Sequence, residues 1–147
     1  MGTRSTVKFI RKEGEKLTPL VNIYQQWDGY IEGVGYDLAN FLNQRDIING
    51  IHSNQDDTRF YANGFECLIA EYIATFKTNV GSFYITDMED VEEYNYEVVF
   101  DCDKYYAHDF YVDGDMTADE LITIKVDTIF EGTPSELLEF KEVEDDE

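Results

Sequence analysis

Only His52 and His108 could serve as imidazole bases. Neither has a serine or cysteine nucleophile at a recognisable spacing, and the chain contains no Gly-x-Ser-x-Gly and no phosphate-binding loop. Catalytic groups also assemble in space, so the alternative of an enzyme built on His52, in a polar loop, or His108, in a tyrosine-rich strand, stays open at this point. Asp101-Cys102-Asp103 and Asp113-Gly114-Asp115 offer carboxylate oxygens of the type that Ca²⁺ or Mg²⁺ takes. The EF-hand pattern fails, since position five lacks its ligand and the glycine is misplaced. The plainer reading is a set of solvated acids at strand ends. Gly33-Val34-Gly35 lies between a strand and a helix, where backbone N–H groups can hold a phosphate. Arg4, Gln26 and Tyr30 would line such a pocket. The third glycine of a dinucleotide fingerprint is replaced by Leu38, and a structural turn uses the same glycines. No catalytic residue, metal or cofactor is called for.

The strongest chemical signal is charge. The 147 residues carry 32 Asp and Glu against 11 Lys and Arg, a formal net charge of -21. Residues 1–45 hold six basic and five acidic side chains; residues 46–147 hold five and 27. Like charges on one domain repel, so such a surface costs stability and invites a functional explanation. Within residues 86–120 the acids Glu89, Asp90, Glu92, Glu93, Glu97, Asp101, Asp103, Asp109, Asp113, Asp115, Asp119 and Glu120 face one strong base, Lys104. On a strand, acids at i and i+2 stand roughly 6.6 Å apart. Adjacent acidic strands would approximate the phosphate spacing of duplex DNA, roughly 3.4 Å per strand. General solubility, or adaptation to high salt, is the competing explanation.

The elements that must position these groups are those of one domain, residues 1–141, followed by an acidic disordered tail, 142–147. Alternation predicts a hairpin from strands at 7–10 and 20–24 with a turn at 12–15. Helical spacing appears at 37–42 and, most clearly, at 64–77, where Phe65, Leu68, Ile69, Tyr72, Ile73 and Phe76 share a face. Residues 46–63 read as polar and irregular, with 55–58 the most loop-like. Strands are expected at 82–86, 94–100, 105–112 and 121–130; in the last, Thr123, Lys125 and Asp127 alternate with Ile122, Ile124 and Val126, so one face is solvated. A final helix starts with Thr133 as N-cap, Pro134 at N1 and Glu136 at N3. The expected fold is α+β, an antiparallel sheet of about six strands with two to three helices packed on one face.

No secretory signal and no run of about 20 apolar residues is visible, and an anionic membrane would repel this surface. The first six residues formally fit the myristoylation pattern, but the start of a first strand is the favoured reading of so short a motif. With Cys67 and Cys102 read as free thiols, the expectation is a soluble cytoplasmic protein.

Three segments, Met1-Gly2-Thr3-Arg4-Ser5, Tyr24-Gln25-Gln26-Trp27-Asp28-Gly29-Tyr30 and Asn63-Gly64-Phe65-Glu66-Cys67-Leu68, resemble a family of small proteins of bacteria, plasmids and phages. Its members open with the same five residues and carry Tyr-Arg-Gln-aromatic-Asp-Gly-Tyr-Pro followed by Gly-His-Gly. Gln25, Ile31 and Val34 stand here where the family has Arg, Pro and His. The resemblance implies a shared fold and no particular activity.

The leading expectation is a small acidic inhibitor of phage or mobile-element type. It would mimic nucleic acid and bind the basic nucleic-acid channel of a host defence protein through the acids of 86–120. It would bind neither nucleic acid nor membrane directly. The alternative is a small-ligand protein that binds or sequesters a nucleotide through Arg4, Gln26, Tyr30, Gly33 and Gly35.

Overall fold

A computed structural model describes residues 2–50 and 60–142. The chain opens with a long hairpin, β1 (Ser5–Glu13) and β2 (Lys16–Gln25), closed by Gly14 and Glu15. Gly14 takes φ +60°, the conformation a two-residue hairpin turn needs at its first central position. A π-helical turn (Ile31–Gly35) then runs into α1 (Tyr36–Asn43). Two short strands follow, β3 (Asp46–Ile48) and β4 (Tyr61–Asn63), then α2 (Phe65–Phe76) and β5 (Phe83–Thr86).

After β5 the chain crosses back over the sheet through residues 87–93 and enters β6 (Tyr94–Asp101). Three short helices succeed it: α3 (Cys102–Ala107), α4 (Phe110–Asp113) and, after β7 (Met116–Thr117), α5 (Ala118–Leu121). The described chain finishes with β8 (Ile122–Val126), β9 (Phe130–Gly132) and α6 (Pro134–Glu139).

Six strands form the main sheet in the order β5-β2-β1-β6-β8-β9, and β4-β3-β7 form a small second one. The class is α+β, as composition and pattern imply. The sheet is mostly antiparallel, with one correction: its central pair, β1 and β6, is parallel. The cause is the crossover. β5 runs in the direction of β1, and residues 87–93 carry the chain back to the same end before β6 begins. The fully buried Asn22 holds this segment, its amide donating to the carbonyls of Asp87 and Asp90.

One face of the sheet is apolar because alternate residues are: Val7, Phe9, Ile23, Tyr96, Val98, Phe100, Ile124 and Val126 are all buried. Against them pack Leu38, Phe41 and Leu42 of α1, Phe65, Leu68 and Tyr72 of α2, and Leu137 of α6. Rings fix the register of this layer, with Phe9 edge-on to Tyr72 at 5.5 Å and Phe65 stacked on Phe100 at 4.6 Å. The opposite face carries Lys8, Glu97, Thr123 and Lys125, as the alternation in β8 implies.

One expected strand is helical, and another is borne out only in its centre, as β8. Residues 105–112 belong to α3 and α4, and 121–130 divide into the end of α5, β8, a turn and β9. Up to residue 121, side-chain caps compete successfully with the β-propensity of the tyrosines and Val112. Asp101 accepts from the Lys104 amide, Asp109 from those of Tyr111 and Val112, and Thr117 with Glu120 closes a capping box. The capping box of α6 forms as expected, with Pro134 in its first turn. Glu142, placed in the expected tail, is docked: both carboxylate oxygens accept from the Tyr94 hydroxyl, at 2.8 and 2.9 Å. Burial, with that carboxylate beside it, pushes the Tyr94 phenol up to about 12. Residues 143–147, with His52 and the loop expected at 55–58, lie outside the described residues.

Self-repulsion has a direct consequence. Raising ionic strength from about 0.01 to about 0.5 M shortens the Debye length from roughly 30 to under 5 Å. The melting temperature is therefore expected to rise with added salt, as scanning calorimetry would show.

Candidate partner-binding surface

The twelve acids singled out within 86–120 occupy three separate places. Glu89, Asp90, Glu92 and Glu93 belong to the crossover, where several serve the chain itself. Asp90 accepts from the Thr86 hydroxyl, Glu93 accepts from the Arg4 amide at 2.9 Å, and Glu92 stands 3.7 Å from the Arg4 guanidinium. Glu97 lies on the open face of the sheet, in register with Lys8 and Lys125. The remaining seven lie within residues 101–121, a lobe of α3, α4, β7 and α5 at the end of β6.

The strand geometry proposed for the Asp-x-Asp pairs does not occur. Asp101 ends β6 and Asp103 is inside α3; Asp113 ends α4 and Asp115 precedes β7. Asp103 reaches back to the hairpin turn and accepts from the Gly14 amide at 2.7 Å. Asp119 accepts from the Ser135 amide at 3.0 Å and from the Ser135 hydroxyl, tying α5 to α6. Among the described residues, no three His, Cys, Asp or Glu side chains stand together in position to share a metal ion. Asp101 is the N-cap of α3, so Asp101→Ala is expected to cost about 1 kcal/mol of stability in a urea melt, within the usual 0.5–2 for a lost cap.

What the lobe offers is acid beside exposed aromatic surface. Its base is firmly seated. Tyr105 is buried, its hydroxyl donates to the Ile48 carbonyl at 2.7 Å, and its ring meets Phe100, Tyr106 and Phe110 edge-on at 5.0–5.3 Å. Burial pushes the Tyr105 phenol up to about 12, so it stays a donor at neutral pH. From that base α4 projects with no buried residue at all. Tyr111 is 98% exposed, Val112 73% and Tyr106 66%. The same stretch of chain carries Asp101, Asp103, Asp109, Asp113, Asp115, Asp119 and Glu120, with Lys104 its one Lys or Arg. Beside α3 lies a hollow of about 350 Å³ lined by Lys104, Ala107, His108, Met116 and Glu120. His108 faces the Gly114 carbonyl through Nε2 at 2.9 Å and sets its ring edge-on to Phe110 at 4.5 Å, so it braces the loop after α4. The sequence reading found the acids and missed Tyr106, Tyr111 and Val112 as surface. The available signal was the cap: an aspartate at 109 starts a one-turn helix that seats Phe110 and leaves Tyr111 and Val112 outside.

The phosphate cradle expected at Gly33-Val34-Gly35 is corrected by the hydrogen bonds. The Gly33 and Gly35 amides donate to the Tyr30 carbonyl at 2.9 and 3.5 Å, and the Val34 amide donates to the Asp28 carbonyl at 2.8 Å. These donors are spent inside the turn. Gly33 is needed for the chain's own packing, since a Cβ there would lie 2.1 Å from the Asp28 oxygen, and one at Gly35 would press the Tyr96 ring at 3.2 Å. Tyr30 donates to the Asp28 carboxylate at 3.2 Å, the Gln26 backbone N–H to the Ser82 carbonyl at 3.0 Å, and the Arg4 cation is beside Glu92. The backbone donors of the turn at 33–35 are thus closed to an anion.

Cys102 is buried and Cys67 half-buried, both free. No helix among the described residues is long and apolar enough to cross a membrane. No family model, no curated protein and no solved structure matches the chain.

Proposed function

We propose that this chain is a small acidic inhibitor of the type carried by phages and mobile elements. It acts in the host cytoplasm by occupying the basic nucleic-acid channel of a host defence protein. One observation carries the reading: the lobe at 101–121 combines seven carboxylates, one cation and the exposed side chains of Tyr106, Tyr111 and Val112. A nucleic-acid channel is lined with Lys and Arg for phosphates and with flat apolar or guanidinium surface for bases. Carboxylates stand in for the first partner, and a projecting tyrosine for the second, through stacking and cation–π contact with Arg. Tyr is also among the residues that dominate interface energies. Direct binding to nucleic acid or to an anionic membrane is opposed by the net charge.

The experiment is displacement. Host proteins are loaded on a double-stranded DNA resin, and the purified chain is added at about 0.05 and about 0.3 M salt. Release of a specific DNA-binding protein at low salt, falling at high salt, is the expected result, since steering between opposite charges is screened. No release at either salt would overturn the reading.

A further inference from the structure

The face of the main sheet away from the core, beyond the part that the crossover covers at Asn22, holds a row of alternating charge. Lys8 of β1 is in register with Glu97 of β6, Glu97 with Lys125 of β8, and Lys125 with Glu131 of β9. Four neighbouring strands, about 4.8 Å apart, thus read plus, minus, plus, minus across the sheet. None of the four side chains is used in an ion pair among the described residues. Next to the row lies a hollow of about 330 Å³, whose lining includes Val99, Thr123 and the 55% exposed Leu17. In a protein of net charge -21, this balanced, partly apolar face is where a second copy can approach without adding to the repulsion.

The order of the charges matters as much as their balance. A twofold axis along the strands, midway between β6 and β8, reverses the row. Lys8 then meets Glu131 of the second copy, Glu97 meets its Lys125, and each pair occurs twice. A row of four alternating charges is complementary to its own reversal. A twofold axis across the strands would set each charge against itself. We infer that the chain forms a symmetric dimer through this sheet face, with the twofold axis along β6 and β8. The hollow meets the lobe at Asp101 and Leu121, while Tyr106, Tyr111 and Val112 are not in its lining, so a dimer would present two sets of those side chains.

Sedimentation equilibrium at about 0.15 M salt, with circular dichroism to verify folding, tests this with the parent, Lys125→Glu and Glu97→Lys. The parent is expected to show a concentration-dependent monomer–dimer equilibrium. Each variant alone places two like-charge pairs in the dimer and is expected to weaken it roughly tenfold or more. An equimolar mixture of the two restores all four opposite pairs, so it is expected to recover dimer. Glu97→Lys also separates pairing from general repulsion: it lowers the net negative charge, which by itself would favour association. A parent that stays monomeric, a Glu97→Lys variant that dimerises as well as the parent, or a mixture no better than its components would overturn the inference.

Discussion

Phe100→Ala will lower the stability of this protein by about 3–5 kcal/mol, the range for emptying a buried aromatic site. For a domain of this size that is a fall of roughly 6–20 °C in melting temperature. Phe100 is buried where three parts of the molecule meet. It projects from β6, stacks on Phe65 of α2 at 4.6 Å with the planes 11° apart, and receives the edge of Tyr105 at 5.3 Å. Removing it leaves a cavity bounded by a sheet, a helix and the base of the lobe. These cannot collapse together, because the Tyr105 hydroxyl is fixed to the Ile48 carbonyl. Urea unfolding measures the loss. A cost below 1 kcal/mol would mean that the ring does not join the lobe to the core.

The second large effect separates binding from folding. Changing Tyr111→Ala, Val112→Ala and Asp113→Lys together is expected to reduce partner affinity about 100-fold or more, since a single hot-spot aromatic accounts for 2 kcal/mol or more. All three residues are exposed, and Phe110, the residue of α4 that packs against the core, is unchanged, so the melting temperature should change little. Asp101 and Asp103 are unsuitable for such a test. One caps α3 and the other holds the hairpin turn, so reversing them loosens the fold as well as the surface. The contrasting control is Glu89→Lys with Glu92→Lys in the crossover, which should leave affinity within a few-fold. A folded triple variant that displaces the same host protein as well as the parent does would place the interface elsewhere.

Most of the scaffold was legible in the sequence because the signals there are periodic. The alternation of Val7 and Phe9 gives the first strand, the three-and-four spacing from Phe65 to Phe76 gives α2, and Thr133 with Glu136 marks the start of α6. The parallel pairing of β1 with β6 was not legible. Nothing in the residues of β6 states its direction, which depends on how far residues 87–93 travel before pairing resumes. The lobe was misread for a different reason. Tyr105, Tyr106, Phe110, Tyr111 and Val112 all favour strands, and only Asp101, Asp109 and Thr117 oppose them, through single hydrogen bonds that a periodicity cannot register. The acids were visible as a count, yet their division between caps, crossover, sheet face and lobe is a property of the fold. The glycines at 33 and 35 were visible as a motif, and their purpose is close internal packing.

The central claim is that carboxylates of the lobe take the place of phosphates on one partner. The most direct measurement is a competition titration with the protein released from DNA resin, following binding of the chain at increasing concentrations of a short DNA duplex. If the chain occupies the nucleic-acid channel, its apparent Kd for the partner rises in proportion to duplex concentration, and no complex of all three forms. An apparent Kd that does not change with duplex, or a stable complex containing partner, duplex and chain together, would contradict the account.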